Sequence, residues 1–442
     1  MKNKLVNIWL SIYAFLLIFE PPILPVSQIY ITGAITLLLL VGTPCRDYLD
    51  NVIRLTGSDK AFIALVIMAA YLLTVSLIDL TLIDYSTWDS TRIRAFNQLF
   101  VLTLIQALGV LYILCEARRY GMGLEDVMKI SLGAALIEGL CVVVALAVPQ
   151  VRNFFLRYAP AVYSNAWVYE RRAYGFSATL LDTFGYGVGL LFGIALFVPS
   201  GKKSIRALCL ILLALAALYN SRTGLVVIAL AVGFKLLFGK SKKDILIGIL
   251  ILSALIVLLF GAMPMMISAG LRSPNVTIRW VASALKDFYL LYNSETSVDN
   301  VQFVSDIVPL PTNLFEIFFG SGHTVYGVEA ARAGVRTDIG YTNIFWAYGI
   351  IGTAMYYSFM LYIFRSAYKR SPSYSFKALV LFFALAFFIV QIKANLLGAS
   401  PGVCVTYYVI MSLIYFGNLG QEAIPSRQIS IPAKSREELI VE

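Results

Sequence analysis

The sequence predicts an all-α polytopic membrane protein with about 12 transmembrane helices and two long outer loops. Three observations carry this. Of its 442 residues, 59% are hydrophobic and 14% charged, against about 25% charge and about 45–50% apolar residues in an average soluble domain. The mean hydropathy is +0.80. The apolar residues run in continuous blocks rather than alternating, which favours helices over a closed barrel as the membrane-spanning solution. Basic residues recur in every second connection between blocks. Together these exclude a soluble enzyme with a core of alternating strands, a disordered chain, a collagen-like repeat and a disulfide scaffold.

A span needs about 20 mostly apolar residues. Twelve blocks qualify, some slightly short: 5–19, 28–42, 61–78, 95–115, 128–148, 178–198, 205–219, 222–238, 245–267, 341–364, 376–396 and 402–417. The first follows Lys2 and Lys4 and ends at Glu20-Pro21-Pro22 without a small-x-small cleavage site. It reads as a retained span rather than a signal peptide. Pro44, Pro149, Pro199, Pro372 and Pro401 fall in connections or at span ends, where a missing N–H is tolerated. Residues 1–442 read as one integral membrane domain, with no internal repeat. The outer connections 149–177 and 268–340 are long, and long connections in compact proteins are usually functional or disordered. Within the second, 277–292 has amphipathic helical spacing and reads as an interfacial helix.

Charge fixes the expected orientation. With the N-terminus inside, inner segments hold 13 Lys and 9 Arg, and outer segments 11 Arg and 2 Lys. The short inner loops are basic, as the positive-inside rule requires, so both termini are expected in the cytoplasm. The net charge of +10 thus speaks for membrane anchoring, not for nucleic acid. The five cysteines, Cys45, Cys115, Cys141, Cys209 and Cys404, lie in or beside apolar blocks without metal-ligand spacing.

The outer cations are mostly Arg, whose planar fork suits phosphate oxygens better than an ammonium does. An anionic ligand at the outer face, a phosphate or pyrophosphate, explains that bias; pairing with outer carboxylates is the bland alternative. Arg222 stands in the turn Asn220-Ser221-Arg222-Thr223-Gly224 between two spans. A hairpin turn needs Asn, Ser and Gly but not Arg. At a helix N-terminus its charge and the free N–H groups converge on an anion; otherwise it is a snorkelling surface cation. The loop from Arg152 to Asp182 interleaves Arg157, Arg171 and Arg172 with Tyr158, Trp167 and Tyr174, suiting sugar rings and phosphates together, or an aromatic belt. His323 is the sole histidine and follows Gly320-Ser321-Gly322. Arg336 and Asp338 stand at the mouth of the tenth span: an anion-binding Arg beside a carboxylate base, or a salt-bridged entry. Glu138 lies inside the fifth span and needs a partner or a wet cavity. No Walker motif, dinucleotide fingerprint or D-x-D pair indicates a nucleotide donor, so a reaction at the outer face needs an already activated one.

These motifs resemble a family. SRTG at 221–224, RRAYGF at 171–176, FGSG at 319–322, D-x-G-Y at 338–341 and YGIIG at 348–352, with a dozen spans and a long late outer loop, are similar to the O-antigen polymerase (Wzy) group. That group belongs to the O-antigen ligase and polymerase superfamily. The resemblance implies a GT-C-like glycosyltransferase of the bacterial inner membrane with its active site facing the periplasm. It would act on oligosaccharide repeat units carried on undecaprenyl diphosphate, within a pathway that includes a flippase and a chain-length regulator. No metal or other cofactor is implied, because the lipid diphosphate is already a leaving group and arginines stabilise the developing charge. Carried over by position, Arg222 and one of Arg171 and Arg172 contact diphosphate. Arg279, Arg336, Tyr341 and Tyr174 complete the expected diphosphate and glycan set. Asp338 stands where the related ligases carry a histidine, a departure that favours polymerase over ligase. It is the expected base, with His323 and Glu138 as alternatives. The competing readings are an O-antigen ligase and a 12-span transporter or flippase of lipid-linked glycans. A transporter predicts repeats, broken helices and ionisable groups at depth.

Overall fold

In the computed structural model every described element is a helix. The described residues are 2–22, 28–42, 45–82, 101–158, 175–177, 181–198, 202–238, 264–273, 313–321, 339–393 and 400–422, with 279, 282, 283, 286, 311 and 396. The helices are α1 (Lys2–Phe19), α2 (Gln28–Gly42), α3 (Arg46–Thr56), α4 (Ser58–Leu82), α5 (Thr103–Arg119), α6 (Leu124–Ala147) and α7 (Pro149–Tyr158). They continue with α8 (Leu181–Phe197), α9 (Lys203–Asn220), α10 (Arg222–Leu237), α11 (Leu314–Phe319), α12 (Gly340–Arg370), α13 (Tyr374–Val390) and α14 (Pro401–Glu422).

The chain is a membrane-embedded helical bundle. Among the described residues, four helices are long and apolar enough to cross a membrane: α6, α9, α12 and α14. Shorter apolar helices, including α1, α8, α10 and α13, pack with them. Of the expected spans, 245–267 and the first part of 95–115 lie largely outside the described residues. The expected span 376–396 is shorter than predicted. Its helix ends at Val390, and residues 391–393 form a turn whose Gln391 carbonyl accepts the N–H groups of Gly340 and Tyr341. That carbonyl ties the end of α13 to the start of α12.

Three helices were not anticipated, among them the short α11 in the second long connection. The amphipathic α3 buries Val52, Leu55 and Thr56 and lies at 113° to α2. Gly57, left-handed at φ 61, stops it, its N–H returning to Arg54 and Ile53 carbonyls. The second, α7, opens at Pro149 directly after α6, so the first long connection begins as helix. Proline suits a first helical turn, where its missing N–H would have no partner. Pro401 opens α14 in the same way, with the Ser400 hydroxyl accepting from the Val403 N–H at 3.2 Å.

The centre of the bundle is α8 with α14. Helices α6, α9, α10, α13 and α14 all pack against α8. In α14, 72% of the apolar window is buried, against 33% in α9, so α14 is an interior helix and α9 a peripheral one. In a bundle packed within lipid, small residues let helices approach closely. A Cβ on Gly185 would overlap the Ser221 hydroxyl, and one on Gly187 would overlap the Pro401–Gly402 backbone. These two positions bring the N-terminal ends of α8, α10 and α14 to one end of the bundle. The opposite end is cationic: Arg118 and Arg119 close α5, Lys203 and Arg206 open α9, Lys235 closes α10, and Lys369 and Arg370 close α12.

Candidate functional site

The site is built at the end of the bundle where α8, α10 and α12 begin. Its first part is the short segment Gly175-Phe176-Ser177, which leads into α8 from the Arg-rich loop. The Phe176 N–H donates to Glu138 Oε2 at 3.2 Å, and the Ser177 hydroxyl donates to the Phe19 carbonyl at 3.0 Å. A Cβ on Gly175 would overlap the Glu138 carboxylate, so glycine is what lets the segment sit there. The Phe176 ring stacks on Phe155 of α7, with centroids 4.7 Å apart. The GF of RRAYGF therefore anchors the loop: Phe176 through its N–H on the Glu138 carboxylate and its ring on Phe155, with Gly175 making room for that carboxylate.

Glu138 itself is 0% exposed within α6. Its Oε1 has no hydrogen-bond partner among the described residues. An isolated carboxylate in an apolar interior is costly, so this group must carry a proton or meet a cation.

A second carboxyl flanks the same segment. Glu20, one residue beyond the Phe19 carbonyl that Ser177 grips, is 6% exposed. Its backbone is left-handed at φ 49, strained for a non-glycine residue and most unusual immediately before a proline. Gln106 of α5 and Cys404 of α14 lie beside its carboxyl. Burial pushes that carboxyl up to about 8, partly offset by Gln106. Sequence reasoning missed Glu20, treating it as the end of a span. The available signal was a carboxylate next to Pro-Pro at a span boundary.

The SRTG turn is the second part. Ser221 caps α10, its hydroxyl accepting from the Gly224 N–H at 3.4 Å. The Thr223 hydroxyl donates to Asp182 in the first turn of α8. Gly224 lies against Gly185 of α8. Three of the four motif residues thus fasten α10 to α8. Arg222 is the first residue of α10, at the helix N-terminus expected for it; its side chain lies outside the described residues.

The third part unites two motifs. Helix α12 is broken at Gly349, φ 64 and ψ −172, and Gly320, φ 82, packs against the break. The Ser321 N–H and hydroxyl both donate to the Trp346 carbonyl, at 2.8 and 3.0 Å. The Tyr71 hydroxyl reaches the carbonyls of Phe319 and Tyr348, at 3.2 and 2.8 Å. FGSG and YGIIG are therefore two halves of one backbone joint.

Tyr341, in the first turn of this helix, donates its hydroxyl to the Phe388 carbonyl at 2.8 Å. Arg279 is exposed and donates to the Ser273 carbonyl at 2.8 Å, in its own connection. Asp338, His323, Arg336, Arg171, Arg172 and Tyr174 lie outside the described residues, as does most of 277–292. Of the sequence-selected side chains, Glu138, Tyr341 and Arg279 have described contacts, none of them with one another.

No protein-family profile matches the chain, and no curated protein matches it. The likeness to O-antigen polymerases therefore rests on the sequence motifs alone.

Proposed function

We propose that the chain is a metal-independent, GT-C-like polysaccharide polymerase of about 12 spans in the bacterial inner membrane, with both termini cytoplasmic. It joins oligosaccharide repeat units carried on undecaprenyl diphosphate into O-antigen or a similar surface polymer. The acceptor hydroxyl of a new lipid-linked unit attacks the anomeric carbon of the growing chain. The new glycosidic C–O bond forms as the C–O bond to the diphosphate breaks, and the lipid diphosphate leaves. The hydroxyl proton passes to a base, Asp338 in the first instance, with His323 and Glu138 as alternatives. Arg222, with Arg171 or Arg172, stabilises charge on the leaving diphosphate. Arg279, Arg336, Tyr174 and Tyr341 complete the proposed diphosphate and glycan contacts. Its partners are the flippase and chain-length regulator of the same pathway.

The observation that supports this best is the fastening of the SRTG turn. Ser221, Thr223 and Gly224 hold α10 against α8, and this leaves Arg222 at the helix N-terminus, where an anion is favoured.

A second reading, a transporter or flippase of lipid-linked glycans, draws on two observations: the break in α12 at Gly349 and the buried carboxyls of Glu20 and Glu138. Both are features expected of transporters. The surface-glycan gel of a strain lacking this gene separates them. Core bearing a single repeat, with the ladder lost, supports the polymerase. Loss of every repeat-bearing band sinks it in favour of ligation or flipping. In the complemented strain Arg222→Ala should lose the ladder while the protein still inserts; a normal ladder would remove the diphosphate role.

A further inference from the structure

A cleft of about 580 Å³ runs between α3, α4, α5, α12 and α14. That volume falls in the range of small-molecule sites, about 300–1,000 Å³. Its mouth is at the cationic end, where Arg54, Lys60 and Arg370 line it. Its walls are apolar, with Leu108, Phe359 and Met411 among them, and its far end is Thr103 and Tyr407. No acidic residue lines it among the described residues. From Tyr407 to Asn418 the cleft follows twelve residues of α14, about 16 Å end to end at about 1.5 Å per step.

Arg370 is held in place at the mouth. Its Nε donates to Asn418 Oδ1 at 2.6 Å and one terminal nitrogen donates to the Ser366 hydroxyl at 3.1 Å. Asn418 in turn donates to the Leu55 carbonyl at 2.7 Å. A guanidinium has five N–H donors, so the clamp orients it without using it up. A fixed Arg that shares a cleft with a Lys suits a phosphate, and a long apolar trough behind it fits hydrocarbon.

We propose that this cleft binds one anionic phospholipid, with its phosphate between Arg370 and Lys60 and an acyl chain lying along α14 toward Tyr407. The occupant is a bilayer phospholipid rather than a polyprenyl diphosphate substrate because the cationic mouth lies at the end opposite Ser221 and Gly340. Basic groups at a membrane boundary attract anionic headgroups in just this position. The proposal does not rest on the polymerase reading.

Native mass spectrometry of the full-length chain in neutral detergent tests it, with phosphatidylglycerol, phosphatidylcholine and a polyprenyl monophosphate as probes. The wild type should retain one phosphatidylglycerol over phosphatidylcholine by about tenfold or more, and the R370Q/K60Q pair should lose that preference. Ala107→Phe, which fills the trough wall without changing charge, should lose the adduct. Lys60→Gln alone removes an exposed cation, so it reports on the headgroup even if loss of the Arg370 clamp disturbs folding; it should lower the preference several-fold. Equal retention of both phospholipids, an adduct that survives Ala107→Phe, or displacement by the polyprenyl phosphate would each overturn the assignment. A ladder test of Arg222→Ala is unaffected by any of these outcomes.

Discussion

Gly349→Ala should detach the segment carrying Gly320 and Ser321 from α12. Gly349 sits at φ 64 and ψ −172, a region open essentially to glycine, where another residue costs about 1–3 kcal/mol. Its added Cβ would overlap the carbonyl group of Phe318 and crowd the Gly320 nitrogen. Those are backbone atoms, which cannot rotate aside. Relief therefore means separating the joint and losing both Ser321 bonds to Trp346 and the Tyr71 bond to Phe319. At about 1 kcal/mol net each, these three bonds contribute about 3 kcal/mol. Because the overlapping atoms are backbone, the joint separates, and the expected destabilisation is that of the three lost bonds, about 3 kcal/mol, localised to the joint. Limited proteolysis of the protein in lipid nanodiscs should show faster cleavage near 314–321, with a lower melting temperature. Gly233→Ala is the control: it lies in α10 with nothing within 4 Å of its added Cβ and should melt at or slightly above the wild type. Equal cleavage and equal melting for Gly349→Ala and Gly233→Ala would refute the account of the joint.

Thr223→Val should cost about 1.5–3 kcal/mol, because the Asp182 carboxylate loses a charge-assisted partner; Thr223→Ser should restore most of it in a thermal melt. Glu20→Gln tests the strained carboxyl after α1. Burial raises its pKa to about 8, so its stabilising contribution is complete below the unfolded carboxyl pKa and is lost as pH rises through about 8. Wild-type melting temperature should fall from the ordinary carboxyl range up to about pH 8 and level off above it, and Glu20→Gln should flatten that slope; an unchanged slope would place the titration elsewhere. Glu138→Gln keeps the acceptor for the Phe176 N–H and should leave the melt within about 1 kcal/mol of wild type. If Glu138 serves as the base, polymer formation falls by about 100-fold or more. Full polymer from this variant would strike Glu138 from the candidates and leave Asp338 and His323.

The membrane bundle was legible because its signal is local. A continuous apolar run such as 128–148 can satisfy its backbone in lipid only as a helix, and α6 covers it. The misses have equally physical causes. α3 and α7 are short and carry charges, so neither reads as a span, and their helicity rests on packing one apolar face against the bundle. Gln391 ends α13 early because its carbonyl accepts bonds from α12, a tertiary fact invisible in the apolar run. Glu20 was hidden by its position in a connection: nothing in Glu20-Pro21-Pro22 shows that the carboxyl turns into the bundle beside Gln106 and Cys404. The glycine motifs were legible as patterns, but their meaning needed the partner segment, since Gly320 and Gly349 each exclude a side chain for the sake of the other.

In SRTG, packing and capping account for Ser221, Thr223 and Gly224. In RRAYGF, the Glu138 and Phe155 contacts account for Gly175 and Phe176. In FGSG and YGIIG, the backbone joint accounts for Gly320, Ser321 and Gly349. Once these structural duties are assigned, the small and apolar motif members have an explanation that needs no ligand. Among the residues not so explained are the motif cations: Arg222 directly follows the anchored Ser221, and Arg171 and Arg172 precede the anchored Gly175 in the same motif. A rigid turn beside a long cation fixes the region that its charge can reach. Conservative and radical changes should therefore separate. Substituting the anchors should lower stability and activity together, whereas Arg222→Ala should lower activity with the melt nearly unchanged. A melt lowered by Arg222→Ala as much as by Thr223→Val would mean that the arginine, too, is part of the fastening.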